Sequence, residues 1–143
     1  MEFKKIHLYG SDVEDYEVLS SLIQDAAIPT SEMKFDKIEK KFFLVCSRFS
    51  WESKLQNKGN KRIVTGICFD NVIKVKKKNF PSFDSENILN FLTLKKVSGF
   101  IELIFSNNIL IKLVGNNISF RIDDLNKEWP TIFSPNHKKL DDE

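Results

Sequence analysis

From residue 33 onward apolar and polar positions alternate with a period of two, broken by turn residues roughly every eight to fifteen positions, and such a pattern predicts an antiparallel meander. Met33 to Phe35 and Phe42 to Trp51 read as a first hairpin around the polar turn Asp36 to Lys40. Ile63 to Phe69 and Val72 to Lys77 read as a second, joined by Asp70-Asn71, two residues that tolerate a positive φ. Leu89 to Val97, Phe100 to Ser106, Ile109 to Val114 and Ile118 to Ile122 follow, separated by Ser98-Gly99, Asn107-Asn108 and Gly115-Asn116-Asn117. Strict alternation of Ile118, Phe120 and Ile122 favours a strand over a helix for the last of them.

Ahead of the meander, Phe3 to Leu8 alternates as a short strand and a helix follows. Ser11 suits the N-cap, Glu14 completes a capping box, and Asp12 and Asp15 fall at the positive end of the helix dipole. Val18 with Leu22, and Leu19 with Ile23 and Ala26, recur at helical spacing until Pro29 stops the pattern. The fold class expected is α+β: mainly antiparallel β, about eight strands curled into a barrel or half-barrel, with one N-terminal amphipathic helix. Residues 1–125 make one domain; 126–143, with Trp129-Pro130, Pro135 and a charged end, read as a C-terminal arm with a disordered tip. Ser53 to Asn60 and Asn79 to Asn87 are loops positioned to line a site.

Lys41 to Glu52 is the most specific segment. In a strand Phe43, Val45, Ser47, Phe49 and Trp51 share one face, and Phe42, Leu44, Cys46, Arg48, Ser50 and Glu52 the other. Both faces begin apolar, so the strand is expected to be covered on both sides at its start and to emerge toward water at Arg48 and Glu52. Those two charges are roughly 13 Å apart along a straight strand and do not pair. Arg48 is expected instead to find a carboxylate or backbone carbonyls on a neighbouring strand, bonded at two points by its planar fork. One reading makes the segment a strand-end anchor in which Trp51 closes the core with its large apolar body. The other makes Arg48, Trp51 and Glu52 a patch for a protein partner, with Trp129 as a further contact, because exposed Arg and Trp dominate binding hot spots.

The chain has 143 residues and a net charge of +2, enough length to bury a core without disulfides and too little charge for a diffuse nucleic-acid-binding field. Cys46 and Cys68 sit inside apolar strand patterns without C-x-x-C spacing, which reads as two buried thiols in a reducing compartment. The segment Met1 to His7 runs into Asp12, Glu14 and Asp15 without an apolar h-region, and no stretch is long enough to span a bilayer. A cytoplasmic, soluble protein with no membrane association is the expectation. Abundant Lys, Asn, Ile and Phe, with Arg only at 48, 62 and 121, match A/T-rich codons and carry little information about a ligand.

Reaction chemistry finds few candidates. Gly10, Gly59, Gly66, Gly99 and Gly115 are scattered singly rather than gathered in a phosphate loop. His7 and His137 lie far apart and outside metal-ligand spacing, and no nucleophile elbow is present. No catalytic residues, no metal and no cofactor are expected, and the protein is read as not an enzyme. Lys74, Lys76, Lys77 and Lys78 form the one basic run. They suit either an edge strand guarded against aggregation, or, with Lys58, Lys61 and Arg62, phosphate contacts to nucleic acid.

Four stretches together carry a family resemblance: Ile23-Gln24-Asp25-Ala26 after the helix; Phe42-Phe43-Leu44-Val45 leading into Arg48-Phe49-Ser50-Trp51-Glu52; Gly66-Ile67-Cys68-Phe69-Asp70-Asn71-Val72; and Trp129-Pro130-Thr131 with Pro135-Asn136-His137. In this order, over nearly the whole chain, they resemble the uncharacterised alphaproteobacterial family catalogued as domain of unknown function 2948. That family reads Asn-Arg-Phe-Asp-Trp-Glu where this chain has Ser47 and Ser50, so hydrogen bonds resting on that Asn and Asp do not carry over. No activity comes with the resemblance. A curled antiparallel sheet with one helix is also similar to the pleckstrin-homology-like superfold, which implies peptide or headgroup binding by analogy alone. The function expected is a non-enzymatic binding or adaptor module with a protein partner; the alternative is a nucleic-acid-binding protein using the basic strand and loop.

Overall fold

A computed structural model describes residues 5–49, 62–81 and 87–125. Within them stand ten strands and one α-helix, where about eight strands were expected. The chain enters through β1 (His7–Gly10) and turns into α1 (Val13–Leu22). Asp12, not Ser11, caps the helix: its carboxylate accepts from the Asp15 N–H at 2.8 Å, and the Asp15 carboxylate accepts in return from the N–H groups of Asp12 (3.2 Å) and Ser11 (2.9 Å). Two anionic acceptors thus satisfy the first turn where a Ser and Glu were expected. The Ser11 and Asp12 N–H groups hold the Asp15 carboxyl below its ordinary value. Tyr16, Leu19 and Ile23 form the buried stripe, whereas Val18 is 51% exposed and stands outside it. The Tyr16 hydroxyl donates to the Ile118 carbonyl at 2.8 Å, and its ring meets Phe120 edge-on at 4.9 Å.

Past the helix the backbone reverses at Asp25 (φ 63) into β2 (Ala27–Pro29), a strand too short to show as alternation. β3 (Met33–Asp36) and β4 (Lys41–Phe49) form the expected first hairpin, its turn held by the Asp36 carboxylate, which accepts from the Ile38 and Glu39 N–H groups. β5 (Arg62–Asp70) lies along the whole of β4. The expected second hairpin does not form, because β5 already has β4 on one side and β10 (Ser119–Asp124) on the other. At Asn71 (φ 69) the chain leaves that sheet position; the Val72 N–H bonds the Lys40 carbonyl at 2.9 Å and the Ile73 N–H bonds the Val114 carbonyl at 2.8 Å. This corner delivers β6 (Lys74–Lys78) to β9 (Leu110–Val114) instead.

β7 (Ile88–Val97) and β8 (Phe100–Phe105) complete the sheet, whose order is β1-β10-β5-β4-β2-β7-β8-β9-β6 with β3 branching onto β4. It is not closed into a barrel: β1 and β6 are its two ends. Short β2, paired with both β4 and β7, joins the two halves. Both halves bury their inward residues in one cluster, Phe42, Phe69 and Ile122 from the first half meeting Phe91, Leu103 and Ile111 from the second. Between β9 and β10, Gly115 passes so near Asn71 that a Cβ there would lie 2.1 Å from the Asn71 carbonyl oxygen.

Candidate functional site

On β4 the inward row is Phe42, Leu44, Cys46 and Arg48, and all four are buried. The expectation that the strand emerges toward water at Arg48 is corrected here: the guanidinium is fully enclosed, because β10 brings a carboxylate onto the same face. Arg48 Nε and Nη2 donate to Asp124 Oδ1 and Oδ2 at 3.0 and 2.8 Å, and Nη1 donates to the Phe49 carbonyl at 3.0 Å. Asp124 also accepts from the Thr65 hydroxyl at 2.8 Å and from the Ile6 N–H at 2.9 Å. The two-point fork expected for Arg48 is present, on the strand beyond its immediate neighbour β5. A buried pair with every lone pair occupied is an anchor, tying β1, β4, β5 and β10 at one end of the sheet. Beside it, Arg62 donates to the Ser47 carbonyl at 2.9 Å and stacks on the Phe49 ring at 4.2 Å. Trp51, Glu52 and Trp129 lie outside the described residues, so no geometry joins them to Arg48.

The basic run divides by strand alternation. Val75 packs against the core and Lys77 shares its face, the Lys77 ammonium resting on the Phe80 ring at 4.4 Å, where burial pulls its pKa down. Lys74, Lys76 and Lys78 point outward at the sheet end, and all four lysines of the run are exposed. Because Ile101, Leu103, Ile111 and Leu113 face the core, their alternates face out and form cross-strand rows with these lysines. One row reads Val97, Phe100, Val114, Lys74; the next Lys95, Glu102, Lys112, Lys76; the last Ile104, Leu110, Lys78. Phe100, Ile104, Leu110 and Val114 are half-buried. The Lys112 ammonium sits 4.0 Å above the Phe100 ring. The last row runs into a concavity of about 460 Å³ that also touches Leu92, Asn79 and Asn108.

Both cysteines are free and buried, as their setting in apolar strands suggests. They face opposite ways. Cys46 points into the core, where burial pushes its thiol up to about 12. Cys68 lies on the outer face, 3.4 Å from a donating Arg121 nitrogen and 3.9 Å from Asp70; burial raises its pKa and the Arg121 hydrogen bond opposes that. With iodoacetamide at pH 8, Cys68 is expected to react before Cys46, whose enclosed thiol burial keeps neutral well above the ordinary value. Equal rates in the folded protein would contradict this assignment of faces. Because the Cys46 thiol is neutral in the fold but ionised when unfolded, it removes stability as pH rises from 9.0 toward about 12.

Asp124 and the outward row Phe100, Glu102, Lys112 were not singled out by the sequence. The signal for Asp124 was present, since Phe120, Ile122 and Asp124 alternate on one face; the strand simply runs two residues past Ile122. The outward row depends on register between distant strands, which no local pattern encodes. Among the described residues no helix is long and apolar enough to cross a membrane, and no three metal-ligating side chains cluster. No curated protein and no solved structure matches the chain. Over residues 6–137, which include the strand carrying Arg48 and the strand that ends in Asp124, the chain matches the family described as Protein of unknown function (DUF2948), and it belongs to that family.

Proposed function

We propose that the domain is a non-enzymatic cytoplasmic binding module that docks an acidic protein surface on the outward side of β7, β8, β9 and β6. The observation that carries this reading is the cross-strand arrangement in which Lys74, Lys76 and Lys78 line the β6 side of the half-buried Phe100, Ile104, Leu110 and Val114, with Lys112 among them. Two apolar rows flank a charged one, Lys95, Glu102, Lys112 and Lys76, so the face offers apolar contact area with net positive charge, and such charges set partner choice and encounter rate. The buried Arg48 and Asp124 saturate one another and adjacent backbone groups, which supports a structural use of that pair.

Nucleic acid is the second reading, and one feature weighs against it. The Lys112 ammonium covers the Phe100 ring, so a base stacks there only by displacing it. Titrating labelled protein with poly-glutamate and, separately, with a mixed-sequence single-stranded oligonucleotide discriminates the two. Poly-glutamate is expected to shift the amides of Lys76, Phe100 and Lys112, and the double change Lys74→Glu with Lys76→Glu to weaken it about tenfold or more without moving the melting temperature. Oligonucleotide binding much tighter than the non-specific range of about 10⁻⁴ to 10⁻⁶ M would favour the second reading. Shifts from neither probe would remove the site.

A further inference from the structure

We propose that the concavity beside Lys78 captures the C-terminal residue of the acidic partner, seating its apolar side chain and binding its terminal carboxylate. This rests on the docking face described above and names the part of the partner held at its end. The concavity forms where two chain reversals meet. β8 passes into β9 through Ser106–Asn108, and Asn107 (φ 64) and Asn108 (φ 62) both take the left-handed backbone of a tight reversal. Asn79, directly after β6, is left-handed as well (φ 57). Its side-chain amide donates to the Asn108 carbonyl at 2.8 Å and ties the two reversals together. The space of about 460 Å³ that they line is thus shaped before anything enters, which spares a ligand the cost of ordering its walls.

Side chains sort the occupant. Leu92, Ile104 and Leu110 supply apolar lining, and Lys78, Asn107 and Asn108 supply donors. Among the described residues the Lys78 ammonium and the side-chain amides of Asn107 and Asn108 have no partner, and no acidic residue lines the space. One positive charge and two amides beside apolar surface suit a carboxylate whose own carbon skeleton is apolar, since hydrogen bonds to a charged oxygen are the strong ones. In a protein the residue that carries both groups on one Cα is the last one. An internal glutamate holds its carboxylate at the tip of its side chain, and in an extended segment its apolar neighbours point to the opposite face, away from Leu92, Ile104 and Leu110. Convergent donors therefore select a chain end over an acidic stretch of equal charge.

The test uses a synthetic glutamate-rich peptide ending in leucine with a free carboxylate, and the same peptide amidated at its C-terminus with one glutamate added at its start, so that both carry equal charge. The free acid is expected to bind about tenfold or more tighter than the amide and to shift the backbone amides of Leu92, Asn107 and Asn108. Lys78→Gln, at an exposed position, should bring the free acid down to the level of the amide without moving the melting temperature. A terminal serine in place of the leucine should weaken the free acid as well. If acid and amide bind equally and shift only Lys76, Phe100 and Lys112, end capture is overturned while the docking face stands. N-acetyl-leucine binding as tightly as the peptide would assign the concavity to a free small carboxylate and overturn it too. If neither peptide binds, end capture falls, and the docking face falls with it only where poly-glutamate shifts nothing.

Discussion

Asp124→Ala is expected to destabilise the domain by about 3–5 kcal/mol, the cost of leaving one partner of a buried ion pair uncompensated. Arg48 would keep a fully enclosed charge, and the Thr65 hydroxyl and Ile6 N–H would lose their acceptor in the same stroke. Against a total stability of roughly 5–15 kcal/mol such a loss threatens folding outright. The comparison that isolates the charge is the double change Arg48→Met with Asp124→Leu, which removes both ions and is expected to recover most of the loss. Urea denaturation midpoints of the three proteins decide it. Asp124→Ala within 1 kcal/mol of the parent would mean that the pair holds nothing together.

Gly115→Ala is the second large effect. The new methyl carbon would stand 2.1 Å from the Asn71 carbonyl oxygen, a main-chain atom that no side-chain rotation can move aside. Either the β9–β10 turn or the corner after β5 has to shift, at a cost of about 3 kcal/mol, the upper end of overpacking penalties. That corresponds to a fall in melting temperature of roughly 10 °C. Asn116→Ala, at an exposed position in the same turn, serves as the control and should leave the transition where it is. Equal transitions for the two variants would show that the close approach is not maintained in solution.

Much of the fold could be read from period-two alternation because β8 and β9 each bury one side chain in two, and β4 does the same from Lys41 to Cys46. What failed had a common cause: pairing between strands is a property of the assembled sheet. Asp70-Asn71 has the composition of a hairpin loop and the positive φ such a loop needs, yet β5 had no free side left to pair with β6. β2 holds three residues, one of them Pro29, and is a strand only because β4 and β7 flank it. Arg48 was legible as a two-point binder but not as a buried one, since its enclosure depends on Asp124 arriving from 76 residues away. The lysine run likewise gave its charge freely and its geometry not at all: Lys77 turns from its neighbours and the partners of the others lie on β9.

Sheet order also constrains how the chain is made. β10, the last strand among the described residues, is inserted between β1 and β5, and the Ile6 N–H bonds a carboxylate 118 residues further along. While the chain emerges from the ribosome, β1 has no strand to lie against until β10 follows it out, and Arg48 waits without its counter-ion for most of synthesis. Contacts of such long sequence separation slow the search for the native state and lengthen the life of half-built sheets. The sheet is therefore completed only once β10 has been made, and the Arg48–Asp124 pair is the latch on that insertion.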